Sequence, residues 1–198
     1  MDVMERRREL LTMQNRPLLP IEYQQVEYIK TASLGERHNS YILTGIDNQT
    51  ISKIICKYRI IVASSPNYSP MIVASYASGT VNADSPWATI SGASQGYLSI
   101  TPIYTPPWDD IFDTFIITYP VIESANSKYL RIGGWNDTAW TSEGAYYFVT
   151  VLNANDAEIA KFIPCYRKLD NKAGMYETIN GVFYPSDGPK DFIAGPKI

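Results

Sequence analysis

The chain is poor in residues that do chemistry. It has one histidine, His38, and two cysteines, Cys56 and Cys165, among 198 residues. A zinc site of the usual Cys and His spacing therefore has nothing to form from. A Ser–His triad would have to recruit His38 from the polar run Gly35-Glu36-Arg37-His38-Asn39-Ser40, which reads as a surface loop. Glycine-rich loops that cradle phosphate are missing. Charged residues are 19% of the chain and the net charge is -3, which gives no basic face for nucleic acid; the run Arg6 to Arg8 is flanked by Glu5 and Glu9 and reads as a solvated face. No apolar run approaches the roughly 20 residues that cross a bilayer. Each cysteine lies in an apolar run, which reads as a buried reduced thiol; a disulfide between them stays open. Met1 to Glu9 carry positive charge without an apolar stretch behind them, unlike a secretory leader. Synthesis in a cytoplasm is the expectation, with no cofactor, no metal and no membrane partner.

What the chain does have is aromatic residues and turns. Tyrosine outnumbers phenylalanine 15 to 6, and 13 Pro and 12 Gly are spread along the length, which favours half-exposed strands over helices. Alternating apolar runs predict strands over Tyr23 to Lys30, Tyr41 to Leu43, Ile51 to Val62, Met71 to Tyr76, Ala88 to Ile90 and Tyr97 to Ile103. They continue over Ile111 to Tyr119, Tyr129 to Ile132, Tyr146 to Leu152, Glu158 to Cys165, Met175 to Thr178 and Val182 to Tyr184. Asp170-Asn171, Asn180-Gly181 and Asp187-Gly188 punctuate the last of these as turns. Ile51 to Val62 and Phe115-Ile116-Ile117 read as central, deeply buried strands. Loops rich in Ser, Pro and Asn, 64 to 70 and 78 to 86, read as surface excursions. The fold class is all-β, a two-sheet jelly-roll sandwich, as one domain over 19–198.

Residues 1–18 differ. Asp2 can cap a helix with Glu5 completing a box, and Pro17 stops it. Val3, Met4, Leu10 and Leu11 share one face, with Arg7 among them; burying the four apolar side chains contributes on the order of 6 to 10 kcal/mol before ordering costs. A helix this short must dock to persist, either on its own sandwich or as an assembly arm. Arg16-Pro17-Leu18-Leu19-Pro20 reads as a stiff extended linker.

The ladder Phe162-Ile163-Pro164-Cys165-Tyr166-Arg167-Lys168 through Asn180-Gly181-Val182-Phe183-Tyr184 to Gly195-Pro196 closely resembles the end of concanavalin A-like, laminin-G-like jelly-roll domains of gut bacteria and their phages. Leu19-Pro20-Ile21-Glu22-Tyr23-Gln24-Gln25-Val26-Glu27-Tyr28-Ile29 looks like the opening strand of the same family, followed by Tyr41-Ile42-Leu43-Thr44-Gly45-Ile46. Leu43 stands where that family often has an acid before the Thr-Gly pair. The resemblance implies a scaffold that binds sugar in some members and is architectural in others. Its association with virions implies a phage virion structural protein, a capsid decoration, head fibre or tail component, whose partners are other virion proteins or copies of itself. The alternative it implies is a carbohydrate-binding, lectin-like module without catalysis.

Glycoside hydrolases built on this kind of fold need paired carboxylates on one strand, and the spacing Glu-x-Asp-x-x-Glu does not occur here. Asp109, Asp110 and Asp113 form the densest acidic group and could offer oxygens to Ca2+, but they lack regular ligand spacing and also read as a solvated turn. Trp87, Trp108, Trp135 and Trp140, with Tyr104, fall in or beside loops. Trp135, Asn136, Asp137 and Trp140, with Trp108, combine rings for the apolar side of a sugar with amide and carboxylate groups for its hydroxyls. Tryptophan in a sandwich is more often buried core, and that reading stands beside the sugar one. One shallow sugar site holds at about millimolar strength, and surface glycans would then be gripped through many copies.

Overall fold

A computed structural model describes residues 19–31, 40–62, 71–76, 87–89, 98–105, 110–119, 129–133 and 143–198. Among them the fold is all-β. Its strands are β1 (Tyr23–Gln25), β2 (Ile29–Lys30), β3 (Ile42–Asp47), β4 (Lys53–Val62), β5 (Met71–Tyr76), β6 (Trp87–Thr89) and β7 (Ser99–Thr101). They continue as β8 (Phe112–Thr118), β9 (Tyr129–Ile132), β10 (Glu143–Leu152), β11 (Glu158–Arg167), β12 (Lys172–Glu177), β13 (Val182–Pro185) and β14 (Ile193–Ala194). Every predicted run overlaps a strand. The arm helix and the loops at 64 to 70 and 78 to 86 lie outside the described residues.

Two antiparallel sheets share these strands. The larger runs β13-β12-β11-β10-β4-β8-β7, and the smaller runs β3-β9-β5-β6. The chain alternates between them, with β3, β5–β6 and β9 in the small sheet and the intervening strands in the large one. One core joins the two layers: Ile42, Ile72, Val73, Leu130 and Ile132 of the small sheet cluster with Ile54, Cys56, Tyr58, Phe115, Val149 and Phe162 of the large one.

The N-terminal and C-terminal segments close the large sheet together. Toward their far ends β10 and β11 separate: β11 pairs with β10 over 158 to 162 and with β1 over 165 to 167. Pro164, which has no N–H to donate, falls at this changeover. β2 pairs with β10 on one side and with β14 on the other. Val26 bridges Lys197, and Glu27 N–H donates to the Pro196 carbonyl at 2.8 Å. The predicted run Tyr23 to Lys30 is thus two strands, because its halves take different partners. β14 has no signal of its own, being held by pairing instead of by an apolar pattern.

Residues 16–18 of the expected linker lie outside the described residues, and its last two lead into a turn where a strand is expected from Ile21. Pro20 to Tyr23 forms a tight turn, with Tyr23 N–H on the Pro20 carbonyl at 2.9 Å, and Leu19 packs on the sheet beside Ile163, Cys165 and Tyr176. The hairpins follow the turn chemistry. Asn171 and Gly181 take left-handed φ of 55° and 72°, which Asn tolerates and Gly adopts freely. Glu177, buried at the second hairpin, accepts from the N–H groups of Ile179 and Asn180, both at 2.7 Å, and of Lys161 at 3.2 Å.

The strands expected to be deeply buried are buried on one side only. In β4, Ile54, Cys56, Tyr58 and Ile60 face the core, while Ile55 and Lys57 are half-buried and Arg59 is exposed. In β8, Phe115 and Ile117 are buried, whereas Ile116 is 41% exposed. Among the described residues one layer stacks on the large sheet, so its strands have one dry face.

An irregularity in β10 sets the joint between layers. Tyr146 pairs with Tyr58 and Phe148 pairs with Lys57, leaving Tyr147 as an extra residue in the ladder. Tyr146 turns inward, its ring 4.5 Å from that of Tyr58, and its hydroxyl donates to the Ile72 carbonyl of the small sheet at 2.8 Å. That hydrogen bond is worth about 1 kcal/mol and leaves a buried carbonyl unpaired if lost. The Tyr58 hydroxyl lies where a Cβ on Gly144 would be, 1.8 Å away.

Gly144→Ala must therefore displace the Tyr58 ring and is expected to cost about 1 to 3 kcal/mol in urea unfolding; an unchanged midpoint would show that the ring is not seated there. Burial pushes the phenols of Tyr58, Tyr119 and Tyr146 well above their ordinary value. Unfolded tyrosines lose their protons near 10 while these keep theirs, so native stability falls as pH rises through about 10. Ultraviolet titration of the folded chain in which all 15 tyrosines ionised together would contradict this.

Candidate functional site

The extra residue in β10 has a second consequence, on the side of the large sheet away from the small one. Directly opposed residues of an antiparallel pair share a face, so the register fixes what lies there. Phe112 opposes Arg59, Thr114 opposes Lys57, Ile116 opposes Ile55, and Thr118 opposes Lys53. On the other side of β4, Lys57 opposes Phe148, Ile55 opposes Thr150 and Lys53 opposes Leu152. Thr150 in turn opposes Lys161 of β11. None of these side chains belongs to the shared core, although Thr150 and Leu152 are buried.

Tyr147 completes an aromatic cluster on this outer face. Its ring lies 4.8 Å from Phe112 and 5.4 Å from Tyr28, tilted by 47° and 52°. The Lys57 ammonium sits over both, 4.8 Å from the Phe112 ring and 5.6 Å from that of Tyr147, a contact of about 0.5 to 1 kcal/mol at a partly wet site. Phe112 is 49% exposed. Beside it Arg59 Nε donates to Asp110 at 2.9 Å, with Asp110 in a left-handed turn at φ 57°. Burial, followed by the charge of Glu27, raises the Tyr147 phenol. The face thus offers half-open rings, a cation held above them and an exposed ion pair.

Next to it the outer face is covered. Tyr23 packs on Tyr176 at 4.9 Å and Phe183 at 5.3 Å, over Ile163 and Cys165. The turn that carries Tyr23 is held by the Lys168 ammonium on the Ile21 carbonyl at 2.7 Å. Arg167 lies over Phe183 and grips Asp170 with two hydrogen bonds, of 3.0 and 2.6 Å. That grip lowers the Asp170 carboxyl to about 2.

Few of the residues singled out from the sequence fall within this face. Trp108, Trp135, Asn136, Asp137 and Trp140 lie outside the described residues, as do His38, Asp109, Val3, Met4, Arg7, Leu10 and Leu11. The segment bearing Trp135 to Trp140 leaves β9 at Gly133 and returns at β10, passing from the small sheet to the large. Asp110 and Asp113 do not converge: Asp110 holds Arg59, while Asp113 accepts from the Tyr104 hydroxyl at 2.5 Å and from the Thr114 N–H at 2.6 Å. Among the described residues no three His, Cys, Asp or Glu side chains group as metal ligands do, and no helix is long and apolar enough to cross a membrane.

Gly92-Ala93-Ser94-Gln95-Gly96 has the Gly-x-Ser-x-Gly spacing of a nucleophile elbow. It lies outside the described residues, between β6 and β7. Tyr28, Phe112 and Tyr147 were not legible as a group. Simple alternation through Ala-Tyr-Tyr-Phe-Val puts Tyr146 and Phe148 on one face, and only the irregularity brings Tyr147 and Phe148 out together.

No protein-family model matches the chain, no curated protein matches it, and no solved structure matches it.

The two thiols lie in different clusters, Cys56 in the shared core and Cys165 in the outer one, and both are free. Burial raises Cys56 and pushes Cys165 up to about 12. A thiol that stays protonated and dry does not attack, so iodoacetamide is expected to label neither cysteine until the chain unfolds. Labelling of Cys165 in the folded protein would show that the Leu19–Tyr23 cover opens.

Proposed function

We propose that this chain is a non-catalytic attachment domain of a phage virion, with a concanavalin A-like jelly roll over 19–198 and a helical arm over 1–18. The arm fixes the domain to other virion proteins or to copies of itself, and the domain meets its target through the outer face of the large sheet. The observation that carries this reading is the half-open aromatic cluster of Tyr28, Phe112 and Tyr147 on a sheet whose opposite side is fully packed. A rigid surface that leaves Phe112 and Ile116 at 49% and 41% exposure is suited to contact more than to turnover. The docked Leu19–Tyr23 turn supports the arm's role, because it delivers residues 1–18 from a fixed point on the domain. A lectin-like module is the second reading. The specific observation favouring it is that rings, a lysine and an Arg59–Asp110 pair stand together, the mixture that sugar sites use.

Deleting residues 1–16 is expected to leave a cooperatively folding sandwich that no longer enters particles; undiminished incorporation would refute the arm. Phe112→Ser with Tyr147→Ser is expected to keep incorporation and lower adsorption of the particles to host cells by about tenfold, the size of losing two ring contacts multiplied over copies. Adsorption equal to wild type would remove the outer face from the account.

A further inference from the structure

Two side chains of the outer face are buried without belonging to either apolar cluster. Thr150 is 6% exposed and Leu152 is 8% exposed, yet neither joins the shared core or the group around Ile163 and Cys165. Thr150 is short and stands between Ile55 and Lys161, but Leu152 is large and stands last in β10. Burial falls away across the sheet. Ile55 and Lys57 of β4 are half-buried, while Phe112, Thr114, Ile116 and Thr118 of β8 are all exposed. Whatever covers this face is centred on β10, toward β11 and away from β8.

Residues 1–18 join the domain at this place. The turn at Pro20 puts Ile21 beside Lys168 at the end of β11, whereas Leu19 packs on the group of Ile163, Cys165 and Tyr176, one strand from Phe148 and Thr150. The other segments outside the described residues enter elsewhere. Segments 32–39, 63–70, 77–86, 90–97, 120–128 and 134–142 each lead to or from a strand of the small sheet, and 106–109 leads from β7 to β8. The arm also has a matching surface. Val3, Met4, Leu10 and Leu11 share one face of the expected helix, which over 2–15 is about 21 Å long, against about 13 Å of strand from Phe148 to Leu152.

We infer that in the free chain residues 1–18 lie along β10 of their own domain, with Val3, Met4, Leu10 and Leu11 on Phe148, Thr150 and Leu152. This rests on the reading of residues 1–18 as the assembly arm and adds where its apolar face is kept before assembly. Phe112 and Ile116 lie beyond the covered strip, so the attachment surface stays open. Linker length decides between the arm's own domain and a second copy. Three residues, 16–18, separate the expected helix from the docked Leu19, which holds the arm over its own β10 at high effective concentration. Charge keeps the seat weak. Arg7 stands among the four apolar residues of the arm, and Lys57 and Lys161 flank the strip opposite Phe148 and Thr150. Repulsion between these cations lets the arm leave for a particle.

The test uses the full chain in solution. A nitroxide is placed on Glu9→Cys, on the helical side away from Arg7; Cys56 and Cys165 are buried and do not compete for it. It is expected to broaden the amide signals of Phe148 to Leu152 and of Lys161, leaving those of β5 and β9 sharp. The broadening is expected to survive dilution of the nitroxide-bearing, nitrogen-15 chain into excess chain that carries neither. Broadening lost on that dilution would seat a second copy's arm on the strip and overturn docking on the same domain. No broadening at β10 would overturn the seat altogether. Separately, Thr150→Cys in the full chain is expected to react with iodoacetamide about tenfold more slowly than in the chain lacking residues 1–16. Val3→Ser with Leu10→Ser, both outside the sandwich, is expected to restore the faster rate. Equal rates with and without the arm would overturn the inference, because another element would then cover Thr150. The assembly role itself is decided by whether the chain lacking residues 1–16 enters particles.

Discussion

One additional residue in β10 organises this molecule. Before it, Tyr146 faces inward opposite Tyr58; after it, Phe148 faces outward opposite Lys57. A strand with unbroken alternation would have sent Val149 and Val151 to water and Phe148 and Thr150 into the core. With the insertion, Val149 and Val151 are fully buried beside Phe115 and Phe162, and Tyr147 is left over for the outside. The same shift that ties the large sheet to the small one through the Tyr146 hydroxyl therefore builds the aromatic cluster with Phe112 and Tyr28. Core and surface are coupled through three consecutive residues.

The closure of the large sheet depends on a second device. The Tyr23–Lys30 segment fills the gap where β10 and β11 part, and it is locked by the last residues of the chain through Val26, Glu27 and Tyr28. Tyr28 then serves the outer cluster and Tyr23 the neighbouring one. Leu19 and the turn at Pro20 seal Cys165 on that side. The outer face is consequently divided into a covered part, where the polypeptide enters, and an open part, where rings and lysines are offered to a partner.

Strand existence was legible because apolar and polar residues alternate and because Asp170-Asn171 and Asn180-Gly181 mark hairpins with residues that tolerate left-handed φ. The reach of single strands was less so: Ile55, Ile116 and Phe148 are as apolar as their buried neighbours, and only the stacking of the two sheets tells which face the core. β14 was invisible, since Ile193 and Ala194 are both exposed and pair through backbone alone. The site was hardly legible at all. Tryptophans beside Asn and Asp point to Trp135, Asn136, Asp137 and Trp140, whereas the cluster on the outer face is made of Tyr28, Lys57, Phe112 and Tyr147 from four parts of the chain. Their juxtaposition depends on strand order and on the extra residue, neither of which a single sequence displays.

The opposed directions of Tyr146 and Tyr147 are best measured by nuclear Overhauser contacts from the two rings in the intact chain. Contacts from Tyr146 to Tyr58 and Ile72, together with contacts from Tyr147 to Phe112 and Tyr28, are the result this account requires. Contacts from the Tyr147 ring to Phe115 or Val149 would contradict it, because they would put that ring in the core and dissolve the outer cluster.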